Sequence, residues 1–283
     1  MRALLLVGAA GAAAILHSIR PAEKPTAREV EIVGLDYAFI MPRQLPAGRT
    51  TFRLRNAGRV PHEFNIVMLK PGVTIDQFIQ AGKENKPRQP MIEGAVGVLF
   101  ARPGKTSSSG LTTDLVAGRD YAVQCIFRDS AKAPQHIAMG MYGIIRVTRG
   151  APAPAATPAD SIIGLDYAYK YPKELSPGRH SLAFRNDGKQ RHEIFTALLK
   201  QGVTLDSVVA VSKRKGDVFA LLEEGLGVLH SRGGELSLGR LDIDFLPGRE
   251  YLIECGFRDD ENSPRHYDLG MYGSIKVPGK PLT

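Results

Sequence analysis

The chain has 283 residues, 43% hydrophobic and 23% charged, which excludes wholesale disorder and a multi-span membrane protein and, at about 100 to 200 residues per domain, suggests two domains. Gly 30 and Pro 19 favour a turn-rich chain over a helical bundle, and Cys 2 excludes a disulfide scaffold. The formal charge of +8 is too diffuse to support nucleic-acid binding.

Residues 1–27 run from the basic Arg2 through the apolar Ala3 to Leu16 into a polar, proline-containing segment. That layout predicts a signal peptide and a periplasmic or secreted protein. An uncleaved N-terminal anchor is the alternative, although a spanning helix needs about 20 apolar residues and this run is shorter. No cysteine follows the run, so a lipoprotein anchor is excluded. Once the signal is removed, no stable membrane span is expected.

Short strands follow. Val30 to Val33 opens the series, Thr51 to Asn56 alternates Phe52 and Leu54 with Arg53 and Arg55, and Phe64 to Leu69 is a longer apolar run. After Gly72-Val-Thr, the apolar residues Ile75, Phe78 and Ile79 fall at helical spacing behind Thr74, a candidate cap, which predicts one short helix. Gly104-Lys-Thr-Ser lacks the glycine that a phosphate-binding loop requires, and Ser107-Ser-Ser-Gly110 reads as a turn. Period-two alternation in Tyr121-Ala-Val-Gln-Cys125 sets Tyr121, Val123 and Cys125 on one face and Gln124 on the other. A last strand points Ile145 and Val147 inward.

The series is then repeated at an offset of 130: Ile32 becomes Ile162, His62 becomes His192, Cys125 becomes Cys255, His136 becomes His266 and Met141 becomes Met271. About two positions in five are identical, and a period this long means two whole domains. The expected organisation is a domain at 28–149, a semi-rigid Pro/Ala linker at 150–159 and a second domain at 160–283, with the second helix behind Thr204.

Each copy carries four ligand-type residues: His62, Cys125, His136 and Met141 in the first, and His192, Cys255, His266 and Met271 in the second. Two imidazoles, one thiolate and a thioether form a soft nitrogen and sulfur set. Calcium and magnesium prefer oxygen ligands, and structural zinc takes four strong ligands without a thioether. A trigonal His, His, Cys site with a long axial Met describes a blue-copper electron-transfer centre. Arg128-Asp129 and Arg258-Asp259 recur beside the cysteines and read either as a local ion pair or as a solvated turn. A disulfide between Cys125 and Cys255 is a further possibility, opposed by their equivalent inward positions in separate domains.

At these residues the chain resembles the cupredoxin family, the plastocyanin, azurin and copper nitrite reductase type. Asn56-Ala-Gly before His62 and Asn186-Asp-Gly before His192 are similar to the family's turn ahead of its first ligand histidine. His136-Ile-Ala-Met-Gly-Met141-Tyr-Gly and His266-Tyr-Asp-Leu-Gly-Met271-Tyr-Gly are similar to its closing element, with Met139 a competing axial candidate in the first copy only. The resemblance implies an all-β fold of two tandem Greek-key β-sandwich domains, each with a short helical insertion. It implies up to two coppers per chain, cycling between Cu(I) and Cu(II) as type 1 sites. Two departures stand out: a long Cys-to-His loop, and Glu63 or Glu193 where many family members have Asn or Ser bracing the loops.

The implied function is a secreted single-electron carrier between redox proteins such as cytochromes, oxidases or reductases, with no nucleic-acid partner. A copper-holding or protein-interaction module without turnover is the alternative. An enzyme is not expected: no His-x-His occurs, and His180 and His230 are the only spare histidines after the signal, too few for a three-histidine catalytic site in one chain.

Overall fold

A computed structural model describes residues 27–84, 86–150 and 159–280. Residues 1–26 and 151–158, which carry nearly all of the expected signal and linker, lie outside the described residues. Among the described residues no helix is long and apolar enough to cross a membrane.

The first copy comprises β1 (Arg28–Leu35), β2 (Ala38–Ile40), β3 (Gln44–Pro46), β4 (Gly48–Asn56), β5 (His62–Leu69), α1 (Ile75–Lys83), β6 (Ile92–Ala101), β7 (Gly110–Leu115), β8 (Asp120–Gln124) and β9 (Tyr142–Thr148). The second comprises β10 (Asp160–Leu165), β11 (Ala168–Lys170), β12 (Gly178–Asn186), β13 (His192–Leu199), α2 (Leu205–Lys213), β14 (Leu222–Ser231), β15 (Leu236–Phe245), β16 (Glu250–Glu254) and β17 (Tyr272–Lys276). Each copy is a two-layer β-sandwich with one short helix.

Both helices start where the sequence predicts. Gln77 N donates to Thr74 Oγ1 at 3.2 Å while Thr74 N donates to Gln77 Oε1 at 2.8 Å, a reciprocal cap. Ser207 N donates to Thr204 Oγ1 at 3.4 Å. The helix explains why β5 is buried along its whole length. Phe64, Ile66 and Met68 face the inter-sheet core, and Val67 and Leu69 on the other face are covered by Phe78 and Ile79 of α1.

The sheets run through both copies. One is 8-stranded in the order β11-β10-β12-β15-β7-β4-β1-β2, and the other is 9-stranded in the order β17-β16-β13-β14-β6-β5-β8-β9-β3. The joins are β15 to β7, with Leu241 opposite Leu111, and β14 to β6, with Val228 opposite Val98. A single apolar core follows, holding Phe52, Phe64 and Val123 together with Phe184, Leu241 and Ile253. The serine run read as a turn belongs to this seam: Ser107 and Ser109 are buried, and the Ser109 hydroxyl donates to the Leu226 carbonyl of the other copy.

Candidate metal centre

The four ligand-type residues of each copy come from two places. His62 opens β5, while Cys125 follows β8, His136 starts a single 3-10 turn and Met141 precedes β9. Backbone bonds fold the loop onto itself: Cys125 N to Met141 O at 3.1 Å, Met141 N to His136 O at 3.0 Å, Ile137 N to Cys125 O at 2.8 Å and His136 N to Phe127 O at 2.9 Å. The second copy repeats them, with Cys255 N to Met271 O at 3.0 Å and Tyr267 N to Cys255 O at 3.0 Å. Gly140 and Gly270 close the turns at φ 108° and 106°, a region that disfavours any side chain. The first histidine is placed by the turn ahead of it: Asn56 Nδ2 donates to Val60 O at 2.8 Å and Ala101 O at 2.9 Å, and Asn56 Oδ1 accepts from Gly58 N at 2.8 Å.

The donor atoms converge. His62 Nδ1 and His136 Nδ1 are 3.2 Å apart, and Cys125 Sγ is 3.4 Å from His136 Nδ1. In the second centre the imidazole pair is 3.0 Å apart, and Cys255 Sγ lies 3.4 Å from His266 Nδ1 and 3.9 Å from His192 Nδ1. Within each trio every ligand atom is within 4.8 Å of the others, and all six residues are buried. Among the described residues these are the two clusters of this kind. The methionines flank the same sites: a Cβ placed on Gly34 would meet His62 Cδ2 at 3.2 Å and Met141 Cε at 3.4 Å, and one on Gly164 would meet Met271 Cε at 3.5 Å. Met141 and Met271 are fully buried, whereas Met139 is 37% exposed, so Met141 is the methionine at the centre. Both cysteines are free, which rules out the disulfide.

Electrostatics prepare the set for a cation. Burial lowers the His62 and His192 pKa values, keeping neutral imidazoles with a lone pair to give. Burial also pushes the Cys125 and Cys255 thiols up to about 12, so a metal entering here must displace the thiol proton. Glu63 N and Glu193 N each donate to the neighbouring cysteine sulfur at 3.4 Å. The carboxyls of the same residues, whose pKa values burial raises to about 7, do the bracing: Glu193 Oε1 accepts from Gly256 N at 3.1 Å, and Glu63 accepts from Ile126 N. Glu here serves the loop-bracing role of the family's Asn or Ser.

Two supporting residues per copy carry no sequence expectation, and a third, Asp129 or Asp259, has a role other than the expected ion pair or solvated turn. His136 Nε2 meets Asp129 Oδ1 at 2.9 Å, and Tyr37 OH donates to Asp129 Oδ2 at 2.8 Å. His266 Nε2 meets Asp259 Oδ1 at 3.0 Å, and Tyr167 OH donates to Asp259 Oδ2 at 2.6 Å. Asp36 stands 3.9 Å from His62 Nε2 and Asp166 stands 3.4 Å from His192 Nε2. A carboxylate at Nε2 holds the His136, His266 and His192 rings with Nδ1 facing the site, whereas His62 Nε2 has no hydrogen-bond partner among the described residues. Tyr37 and Tyr167 adopt φ 67° and 64°, an unfavourable left-handed conformation held in both copies, with the Tyr37 ring edge-on to His136 at 5.0 Å. The Gly-Leu-Asp-Tyr-Ala repeat was the available signal. The local ion pair considered for Arg128 and Asp129 gives way to these partners, since Arg128 donates to the Ala133 carbonyl and Arg258 to the Ser263 carbonyl.

No protein-family model and no curated protein sequence matches the chain. Solved structures do. Auracyanin from Roseiflexus castenholzii matches at 19% identity and TM-score 0.31, covering 44% of this chain and 99% of that one, the span of one copy. A copper nitrite reductase from Nitrosomonas europaea matches at 15% identity and TM-score 0.25, covering 91% of this chain and 96% of that one. A blue copper oxidase from the same organism matches at 14% and TM-score 0.24, covering 89% and 86%.

The fold is cupredoxin-like. It is a tandem of two cupredoxin-like sandwiches, each holding a buried His, Cys, His trio suited to copper. One expectation is corrected. The chain was not expected to be an enzyme, yet the solved structures that cover 89% and 91% of it are an oxidase and a reductase, so the non-enzyme reading is withdrawn. Its basis was the absence of a His-x-His pair and a count of histidines within one chain, which leaves out any site assembled between two chains. Neither spare histidine belongs to a trio: His180 Nδ1 meets Asp160 Oδ2 at 2.8 Å, and His230, opposite Glu193 in the sheet, has its ring 6.0 Å from that of Phe257.

Proposed function

We propose that the chain is a two-centre type 1 copper protein that takes up and passes on single electrons, with His62, Cys125, His136 and Met141 holding one copper and His192, Cys255, His266 and Met271 the other. The observation that carries this reading is the duplicated, buried trio, whose donor types are those of a blue-copper site. Bound copper supplies the Cu(II)/Cu(I) couple. The protein supplies a set of donors that barely moves between the two states. The loop's backbone bonds fix Cys125, His136 and Met141 relative to one another, the Glu63 amide steadies the sulfur, and Asp129 steadies the imidazole. Little rearrangement then accompanies each electron.

The leader sequence supports a periplasmic or secreted location, and the carrier role implies redox proteins such as cytochromes, oxidases or reductases as partners. The domain limits 28–149 and 160–283, with a linker at 150–159, belong to the same proposal. The test is a redox cycle: load the mature protein with Cu(II), reduce it stoichiometrically, reoxidise it, and follow the visible band. Full recovery over repeated cycles is expected. Bound copper that cannot be cycled contradicts electron carriage and leaves copper holding, the alternative role.

A further inference from the structure

Between the two copies lies a cavity of about 990 Å³. Phe100 of the first copy and Phe195 and Phe219 of the second line it, with ring centroids 5.9 Å apart for Phe100 and Phe195 and 6.4 Å apart for Phe195 and Phe219. Its volume suits one small molecule. His62 borders it as well, although electron carriage gives the space no occupant. The charges on its walls are sorted by depth: Glu193, Glu224 and Glu254 are half-buried, whereas Arg102, Lys105, Glu223 and Arg265 are exposed. Water and salt screen the exposed charges, so the carboxylates set the field inside. Three of the four have partners: Glu193 Oε1 accepts from Gly256 N at 3.1 Å, Glu224 Oε1 accepts from Ser108 N at 3.4 Å, and Glu223 pairs with Arg249. The Glu254 carboxyl, directly across the strands from Phe195, has none among the described residues. Arg265 acts on it from longer range, with its guanidinium over Tyr267 at 5.6 Å from the ring centroid, and Arg191, which acts likewise on Glu193, lies over Phe257 at 4.4 Å.

The repeat shows what such a place can hold. At the position matching Glu254 the first copy has Gln124, whose side-chain oxygen accepts from the Arg88 guanidinium, and that guanidinium lies over the Phe78 ring at 5.1 Å. A cation from the chain itself, set on an aromatic face and an oxygen acceptor, fills the position there. In the second copy Val218 stands in place of Arg88, so the internal cation is gone. What would receive one is strengthened: Glu254 stands in place of Gln124, and Phe195 and Phe219 stand in place of Asn65 and Gln89.

We propose that this cavity binds a small organic cation, a guanidinium, amidinium or ammonium group on an aromatic or alkyl body, with Glu254 as its anchor. The charged group takes the place that Arg88 fills in the first copy, and the apolar body lies among Phe100, Phe195 and Phe219. A carboxylate beside ring faces, away from bulk water, favours such a cation. The rest of the surface does not, since the chain carries a formal charge of +8.

The proposal does not depend on the copper reading, and the experiment uses the mature protein without added metal. Benzamidinium is the probe, with benzamide as its uncharged isostere and benzoate as the matching anion, each titrated by calorimetry and by amide NMR. One equivalent of benzamidinium should bind at least tenfold more tightly than benzamide or benzoate. It should move the amide signals of Gly256, on the cavity wall, and of Gly225, where a Cβ would meet the Phe100 and Phe195 rings at 3.3 and 3.5 Å. Glu254→Gln, which installs the residue of the first copy, should weaken benzamidinium binding at least tenfold and leave benzamide unchanged. Val218→Arg should weaken it by a similar factor, because it returns a cation from the chain itself, and it keeps the proposal testable if Glu254→Gln does not fold. No binding of benzamidinium, equal binding of benzamide, or binding indifferent to these substitutions overturns the proposal. Each of those results leaves the copper assignment intact.

Discussion

Behind His136 sits a carboxylate that holds the imidazole in place. Asp129 accepts from both His136 and Tyr37, so removing it frees the imidazole to rotate and Tyr37 to leave its left-handed backbone conformation. Asp129→Ala should weaken copper binding at the first centre by about 10- to 100-fold, measured by chelator competition in a Cys255→Ser background. The clustering of His, Cys and His was legible in the sequence because these residue types in one set have few other uses. Asp36, Tyr37 and Asp129 were not, because Asp-Tyr and Arg-Asp look like ordinary turns until the fold brings residues 92 positions apart into contact. His230 gives a second test. Burial and, after it, the nearby Arg191 lower its pKa from 6.5 to about 4, so the folded state binds fewer protons than the unfolded chain between those values. Its neutral form supports folding near pH 7, and that support is lost as pH falls from about 6.5 to about 4. Replacing His230 with Phe, the residue at the matching position 100, should reduce the acid-side loss of metal-free stability by roughly 2 kcal/mol, read from denaturant unfolding at pH 7 and pH 4.

The helices and the ligand loop differ in what fixes them. α1 was legible because a Thr cap and helical apolar spacing coincide, and both are local. Thr74→Ala should cost about 1 kcal/mol in chemical denaturation, since it leaves the Gln77 amide without its acceptor. The 3-10 turns at His136–Met139 and His266–Leu269 carry no such local mark. They exist because His136 N and Ile137 N are claimed by the carbonyls of Phe127 and Cys125, partners that only the folded loop supplies. The long Cys-to-His loop, a departure at the sequence level, is accommodated by Arg128 and Asp129, which tie it to the Ala133 carbonyl and to His136.

The repeat made two domains legible but left no mark of how they join. Pairing between copies needs only strand edges of the right length, and β7 with β15 and β6 with β14 look like any other strands in sequence. At the seam, glycine is required by close approach: a Cβ on Gly239 would lie 2.2 Å from the Val96 carbonyl oxygen, and one on Gly97 would lie 2.7 Å from that of Val228. With one core shared by both copies, the protein should unfold in a single calorimetric transition. Gly239→Ala should lower that transition by several degrees or split it in two, as expected for a destabilisation of about 2 kcal/mol or more. The most direct measurement on the copper assignment is a Cu(II) titration of the mature protein, followed by its thiolate-to-copper visible band. Two equivalents should bind with an intense band, and Cys125→Ser and Cys255→Ser should each remove one equivalent and its share of the colour. A colourless wild-type protein, or colour indifferent to both substitutions, would contradict it.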